Sequence, residues 1–214
     1  MSMQRNSNKG GPAGIGGHGG RGDLRIIAGR LRGRRWPFPS VAGLRPTPDR
    51  VRETLFNWLA PHIAGARCLD LFAGSGALGL EALSRGASQV TFVEHDREAA
   101  KALHAQLTAW ELTGGTVLAA DAGQVSSWAA FAPFDIVFLD PPFDSDLLRA
   151  SLATLARGAH LAVDARVYVE TSARGAALHT PPIDAAAWQS VRSGKAGEVG
   201  YHLLRQNVEG EKQA

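Results

Sequence analysis

Asp70-Leu71-Phe72-Ala73-Gly74-Ser75-Gly76-Ala77-Leu78-Gly79 decides the fold. The apolar run Cys68 to Phe72 reads as a short strand. A glycine-rich turn then leads into a helix through Leu78 to Ser84, stopped by Gly86. Downstream the same alternation repeats. Val90 to Val93 is a strand, about Arg97 to Trp110 an alanine-rich helix, and Thr116 to Ala119 a third strand. Phe134 to Leu139 is a fourth, followed by a helix from about Ser145 to Ala156, and Arg166 to Glu170 is a fifth. Helices between successive strands imply a parallel sheet with right-handed crossovers. Trp188 to Val191 and Val199 to Leu204, around Gly194-Lys195-Ala196-Gly197, read as a closing antiparallel hairpin. The expected class is α/β, a mostly parallel seven-stranded sheet whose ligands bind outside the carboxyl ends of its strands.

Upstream the pattern differs. Residues 1–22 are Gly, Ser, Asn and Arg with almost no apolar content, and are expected to be a disordered tail. Leu24 to Gly29 and Arg34 to Pro39 flank a Gly/Arg turn and read as a small β-hairpin. Thr47-Pro48-Asp49 reads as a helix start, with Thr47 as N-cap and Pro48 as the first helical residue. Val51, Leu55, Trp58 and Leu59 share the face behind it. The 214 residues therefore divide into a tail (1–22), a hairpin (23–45), one α/β domain (46–206) and a short tail (207–214).

The net charge is only +3, but its placement is uneven. Arg21, Arg25, Arg30, Arg32, Arg34, Arg35, Arg45, Arg50 and Arg52 crowd one stretch that holds two acids, Asp23 and Asp49. Such a segment suits a polyanion. Cys68 is the single cysteine, which excludes an internal disulfide and a cysteine-based zinc site, and its apolar neighbours predict a buried thiol. The histidines show no ligand spacing, so no metal is expected. With no apolar run of membrane-spanning length and no signal-peptide core, no membrane partner is expected and the cytoplasm is the expected compartment.

Acids at the strand ends carry the chemistry. Gly74 and Gly76 permit a tight turn at a helix N-terminus. Asp70 before them would repel a diphosphate but suits a cationic amino-acid end, which favours S-adenosylmethionine over a dinucleotide. Glu94 ends the second strand and can accept from both ribose hydroxyls. Asp121 ends the third; it can accept from an adenine amino group or cap the next helix. Asp96 suits the N-cap of the helix at Arg97.

Asp140-Pro141-Pro142-Phe143 is the sharpest signal. A heteroaromatic amine is a poor nucleophile because its lone pair is delocalised. The Asp140 carboxylate and the Pro141 carbonyl can accept its two hydrogens, Pro142 stiffens the turn, and Phe143 can stack on an extruded base. The motif does not name the base. Adenine N6 or cytosine N4 in DNA or another RNA, a non-catalytic RNA-binding assembly factor, and a nicotinamide dehydrogenase stay open on the residues.

The segments Arg25 to Gly29, Leu44 to Leu59 with its Arg-Pro-Thr-Pro-Asp-Arg-Val-Arg-Glu block, Asp70 to Arg85, and Asp140 to Phe143 resemble the RsmD family. The resemblance implies a class I methyltransferase of Rossmann-like fold that makes N2-methylguanine at position 966 of 16S rRNA, in an assembled small-subunit particle. It implies S-adenosylmethionine contacts at Asp70, Gly74, Gly76, Glu94 and Asp121, with Thr47 and Arg50 closing over the cofactor side. It implies a target guanine held by Asp140, Pro141, Pro142 and Phe143. RNA contacts are expected from Arg30, Arg32, Arg34 and Arg35 on the hairpin and from Lys195 in the Gly194 to Gly200 turn, and the chain is expected to be a monomer. The long Gly-rich tail and Trp36, where an aliphatic residue is expected, depart from the family pattern.

Overall fold

A computed structural model describes residues 22–38, 47–143, 145–172 and 184–207. The expected N-terminal tail up to residue 21, Arg45, and the C-terminal residues from 208 lie outside these. Asn207, expected in the tail, is part of the fold: its N–H donates to the Ala187 carbonyl at 2.9 Å.

The elements in chain order are β1 (Gly22–Arg25), β2 (Arg35–Phe38), α1 (Asp49–Trp58), β3 (Arg67–Asp70), α2 (Ala77–Ser84), β4 (Gln89–Glu94) and α3 (Arg97–Ala109). They continue with β5 (Gly115–Ala119), a short α4 (Val125–Trp128), β6 (Phe134–Leu139), α5 (Leu147–Arg157), β7 (Leu161–Ser172), β8 (Trp188–Ala196) and β9 (Val199–Gln206). The main sheet has seven strands in the order β5-β4-β3-β6-β7-β9-β8. The first five pair in parallel, and the β8–β9 hairpin closes the sheet, with β9 antiparallel to both β7 and β8. The expected fold is the observed one.

Alternation along the strands splits the core into two layers. Cys68, Ile136, Phe138 and Tyr168 pack with α1, α2, α3 and the N-terminal hairpin. Leu69, Val137, Leu139, Val167 and Val169 pack with α5 and the α4 region on the other face. Cys68 is buried as expected. The parity carries to the acids: Asp70 at the end of β3, Asp140 just past β6 and Glu170 within β7 follow Cys68, Phe138 and Tyr168 by two residues, on the hairpin side.

Some boundaries shift. β1 ends at Arg25 rather than Gly29, because Ile27 and Ala28 turn their N–H groups away from β2 onto Glu81, at 2.9 and 3.0 Å. Gly29 has φ +83°, and a Cβ there would sit 2.0 Å from the Ser84 carbonyl oxygen, so only glycine fits. Thr47 is not the cap of α1. Pro48 occupies that position with no side-chain cap bond, while Asp96 caps α3 as expected by accepting from the Ala99 N–H at 2.8 Å. Lys195 lies on the exposed edge strand β8, opposite Gly200, and the turn itself falls at Gly197.

Glu81 joins the hairpin to the domain. Its fully buried carboxylate accepts the two hairpin N–H groups, the Arg85 Nε–H at 2.7 Å and the Arg52 guanidinium at 3.4 Å. Arg52 is itself buried and also donates to the Arg25 carbonyl at 2.9 Å and to Asp49 at 2.6 Å. Four donors thus offset the cost of burying the charge. Replacing Glu81 by Ala leaves two backbone N–H groups and the Arg52 Nη1 without their acceptor, and we expect a loss of about 3–5 kcal/mol in urea unfolding. A loss under about 1 kcal/mol would contradict the clamp.

Candidate active site

Register fixes where the strand-end acids fall. β3 lies between β4 and β6, where the strand order reverses. Asp70 pairs with Phe92 and with Phe138, so Glu94 and Asp140 each project two residues past it. Glu94 pairs with Ala119, which places Asp121 two residues further on the outer side. Leu139 pairs with Val169, so Asp140 stands beside Glu170. Asp70, Glu94, Asp121 and Asp140 therefore share one edge, with the glycine turn at its centre.

That turn is closely held. Gly74 and Gly76 have φ of +51° and +78°. The Gly74 N–H donates to Glu94 Oε2 at 2.7 Å, and the Gly76 N–H to the Ala73 carbonyl at 2.7 Å. A Cβ on Gly76 would come within 2.5 Å of Leu103 Cδ1, a side-chain end that can shift, so it is the positive φ that calls for glycine there. The Glu94 Oε1 accepts the Asp96 N–H at 2.8 Å and faces His95 Nδ1 at 3.2 Å. Asp121 is exposed and accepts the Gly123 N–H at 2.7 Å; it forms a local turn and does not cap α4, which begins at Val125.

Asp70 is buried, and its Oδ2 accepts the Gly79 N–H at 3.0 Å beneath the turn. Burial pushes its carboxyl up to about 7, helped by the Glu94 charge and opposed by the Gly79 bond. Asp140 is also raised, first by desolvation and then by the charges of Glu170 and Asp70, against a weak, 3.5 Å bond donated by the Thr47 hydroxyl. Glu170 is raised by burial as well, while the Tyr168 hydroxyl, donating to its Oε1 at 2.8 Å, and Thr47 hold it down. Thr47 thus spans the two carboxylates instead of capping α1.

Pro141 is buried, whereas Phe143 keeps 45% of its surface exposed beside Asp140. The Ser145 hydroxyl donates to the Pro142 carbonyl at 2.6 Å and pins the turn behind it. Arg50 is exposed on the first turn of α1.

The arginine-rich stretch divides. Arg52 is consumed inside the fold. Arg25 pairs with Asp49 at 3.1 Å and Arg35 with Asp23 at 2.6 Å, both on the surface. Arg30, Arg32 and Arg34 are exposed, and the Arg34 guanidinium sits 5.7 Å over the Trp110 ring. Charge counting missed this division. It also missed Glu170, although the rule that selects acids at strand ends reaches it once β6 and β7 are known to be neighbours.

The donor set is carboxylate-rich, which suits a cationic ligand and opposes a diphosphate. No cluster suited to a metal exists among the described residues, and no described helix is long and apolar enough to cross a membrane.

The model of the family described as conserved hypothetical protein 95 matches residues 24–205. The chain is 46% identical over 198 residues to ribosomal RNA small subunit methyltransferase D of Escherichia coli strain K12, covering 92% of this chain and 97% of that protein. The protein of the same name in Haemophilus influenzae is 41% identical over 188 residues, covering 86% and 95%. A solved putative methyltransferase from Escherichia coli superposes with a TM-score of 0.77 at 44% identity, covering 86% of this chain and 98% of that one.

The buried acids have a consequence for stability. Folded Asp70 keeps its proton up to about 7, whereas in the unfolded chain it titrates near 3.8. In between, the folded state binds more protons, so stability falls as pH rises. Asp140 and Glu170 act in the same direction. We expect the urea midpoint to drop across this window and Asp70→Asn to flatten part of the drop. A midpoint that rises with pH there, or an unchanged slope in the variant, would contradict the assignment.

Proposed function

Starting from the fact that this chain belongs to the RsmD family of methyltransferases, described as conserved hypothetical protein 95, we propose that it methylates the N2 amine of a guanine in 16S rRNA, using S-adenosylmethionine. The substrate is the small ribosomal subunit or an assembly intermediate, and the position is the family's, guanine 966. The observation that carries the reading is the convergence of the glycine turn, Glu94 and Asp140 on one sheet edge, with Phe143 exposed beside Asp140. The arginine-bearing hairpin, packed on the same side of the sheet, supplies a polyanion-binding surface next to it.

S-adenosylmethionine supplies an electrophilic methyl group on a sulfonium centre. Glu94 would accept from its ribose and Asp121 from its adenine, and Asp70 with Gly74 and Gly76 would hold the methionyl end. Thr47 and Arg50 border that side from the start of α1.

The residues of the chain do three things for the guanine. Phe143 stacks on the extruded base. Asp140 and the Pro141 carbonyl accept the hydrogens of the N2 amine and turn its lone pair toward the methyl group, while Pro142 limits the freedom of the turn. The nitrogen would bond to the methyl carbon as the carbon–sulfur bond breaks, S-adenosylhomocysteine would leave, and the cationic nitrogen would release one proton to the Asp140 carboxylate. The nearby carboxylates favour that developing charge, so orientation and fixed electrostatics supply the acceleration. Arg30, Arg32, Arg34 and Arg35, and Lys195 at the sheet's far edge, contact phosphates.

Purified protein with methyl-labelled S-adenosylmethionine is expected to label guanine N2 in small-subunit particles that lack the methyl group. Asp140→Ala is expected to lower the rate at least about a hundredfold with cofactor affinity largely kept. Label confined to adenine or cytosine, or full activity in Asp140→Ala, would refute the reading. Replacing Arg30, Arg32 and Arg34 together by Ala is expected to weaken particle binding and to reduce the log–log salt slope by about 2–3. An unchanged slope would place the RNA elsewhere.

A further inference from the structure

The hairpin does more than pack beside the cofactor turn; it bonds to it. Trp36 on β2 is buried, and its indole Nε1–H donates to the Ser75 carbonyl at 2.9 Å. Ser75 lies between Gly74 and Gly76, both at positive φ. A peptide plane followed by glycine can reverse with little steric resistance, because glycine accepts either sign of φ. The indole bond fixes the Ser75–Gly76 plane at its carbonyl, and the Gly76 N–H bond to Ala73 fixes it at the other end.

The other end of this lever is the hairpin's RNA-facing side. Trp36 meets Trp110 edge-on at 5.8 Å between centroids, and Arg34 lies over the same Trp110 ring. At the hairpin turn, the Arg30 N–H donates to the Ser84 carbonyl at 2.9 Å and the Leu31 N–H to Ser84 Oγ at 3.0 Å. Ser84 ends α2, the helix whose N-cap position is Gly76. The hairpin is therefore tied to both ends of the element that carries the cofactor turn.

We propose that Trp36 is a positioning residue that couples the two ligands: through its bond to Ser75, cofactor on the turn and RNA on the hairpin each strengthen binding of the other. The inference rests on the functional reading above. A turn ordered by cofactor holds the indole, and with it β2 and Arg34, in one place; a hairpin ordered by RNA holds the Ser75 carbonyl. Linkage makes the enhancement equal in both directions.

The test is a binding cycle with S-adenosylhomocysteine, which cannot react, and unmethylated small-subunit particles. In the unaltered protein each ligand is expected to tighten the other about fivefold or more. Trp36→Phe keeps an aromatic ring, though a smaller one, in the core and removes the donor. It is expected to bind each ligand alone while the mutual enhancement falls below about twofold. Full enhancement in Trp36→Phe, or none in the unaltered protein, overturns the proposal. Should the variant fold poorly, the unaltered protein carries the test: nitrogen-15 labelling of its five tryptophans is expected to show slower exchange of the Trp36 indole proton when S-adenosylhomocysteine is added. Unchanged exchange also overturns the coupling. Failure of the unaltered protein to bind S-adenosylhomocysteine at all is a different result, and sinks the functional reading together with this inference.

Discussion

Parallel pairing of β3 with β4 on one side and β6 on the other is the constraint on which the remaining structure depends. A slip of one residue in either pairing would turn every side chain of the slipped strand to the opposite face. Cys68, Ile136 and Phe138 would then leave the layer beneath the hairpin, and Asp140 would leave the cleft. The buried alternation on these strands fixes the register, and the register fixes the spacing of the acids. Site geometry and core packing are in this sense one property of the chain.

Two kinds of buried acid result. Glu81 receives four donors and serves as a structural joint between the hairpin and α2. Asp70, Asp140 and Glu170 are raised instead, because burial, joined by the Glu94 charge at Asp70 and by the Glu170 and Asp70 charges at Asp140, outweighs the few bonds they receive. An uncompensated acidic recess costs stability at neutral pH, and it is the environment in which a cationic ligand gains most. The difference between these acids separates the part of the molecule that holds it together from the part that does chemistry.

Much of this was readable in the residues. The strand-turn-helix at Asp70 to Ser84, the sheet and its antiparallel close all follow from hydrophobic period and glycine placement. Asp140 to Phe143 stood out because a carboxylate, a proline-fixed carbonyl and an aromatic ring in one turn suit a heteroaromatic amine. What stayed hidden depends on contacts between distant segments. Glu170 acquires its place only through the neighbour relation of β6 and β7. Arg52 looks like one more surface arginine until Glu81, 29 positions away, is seen against it. Thr47 carried a local signal for capping, and a tertiary bond to Asp140 overrode it. The Trp36 to Ser75 bond spans 39 positions and has no periodic signature.

The central claim is that the sheet edge presents a guanine amine to a methyl donor. Mass spectrometry of small-subunit rRNA from cells lacking this gene tests it most directly. The account predicts the loss of a single N2-methylguanosine, with N6-methyladenosine and N4-methylcytidine unchanged. Retention of every N2-methylguanosine, or loss of an adenine or cytosine methyl group in its place, would contradict it.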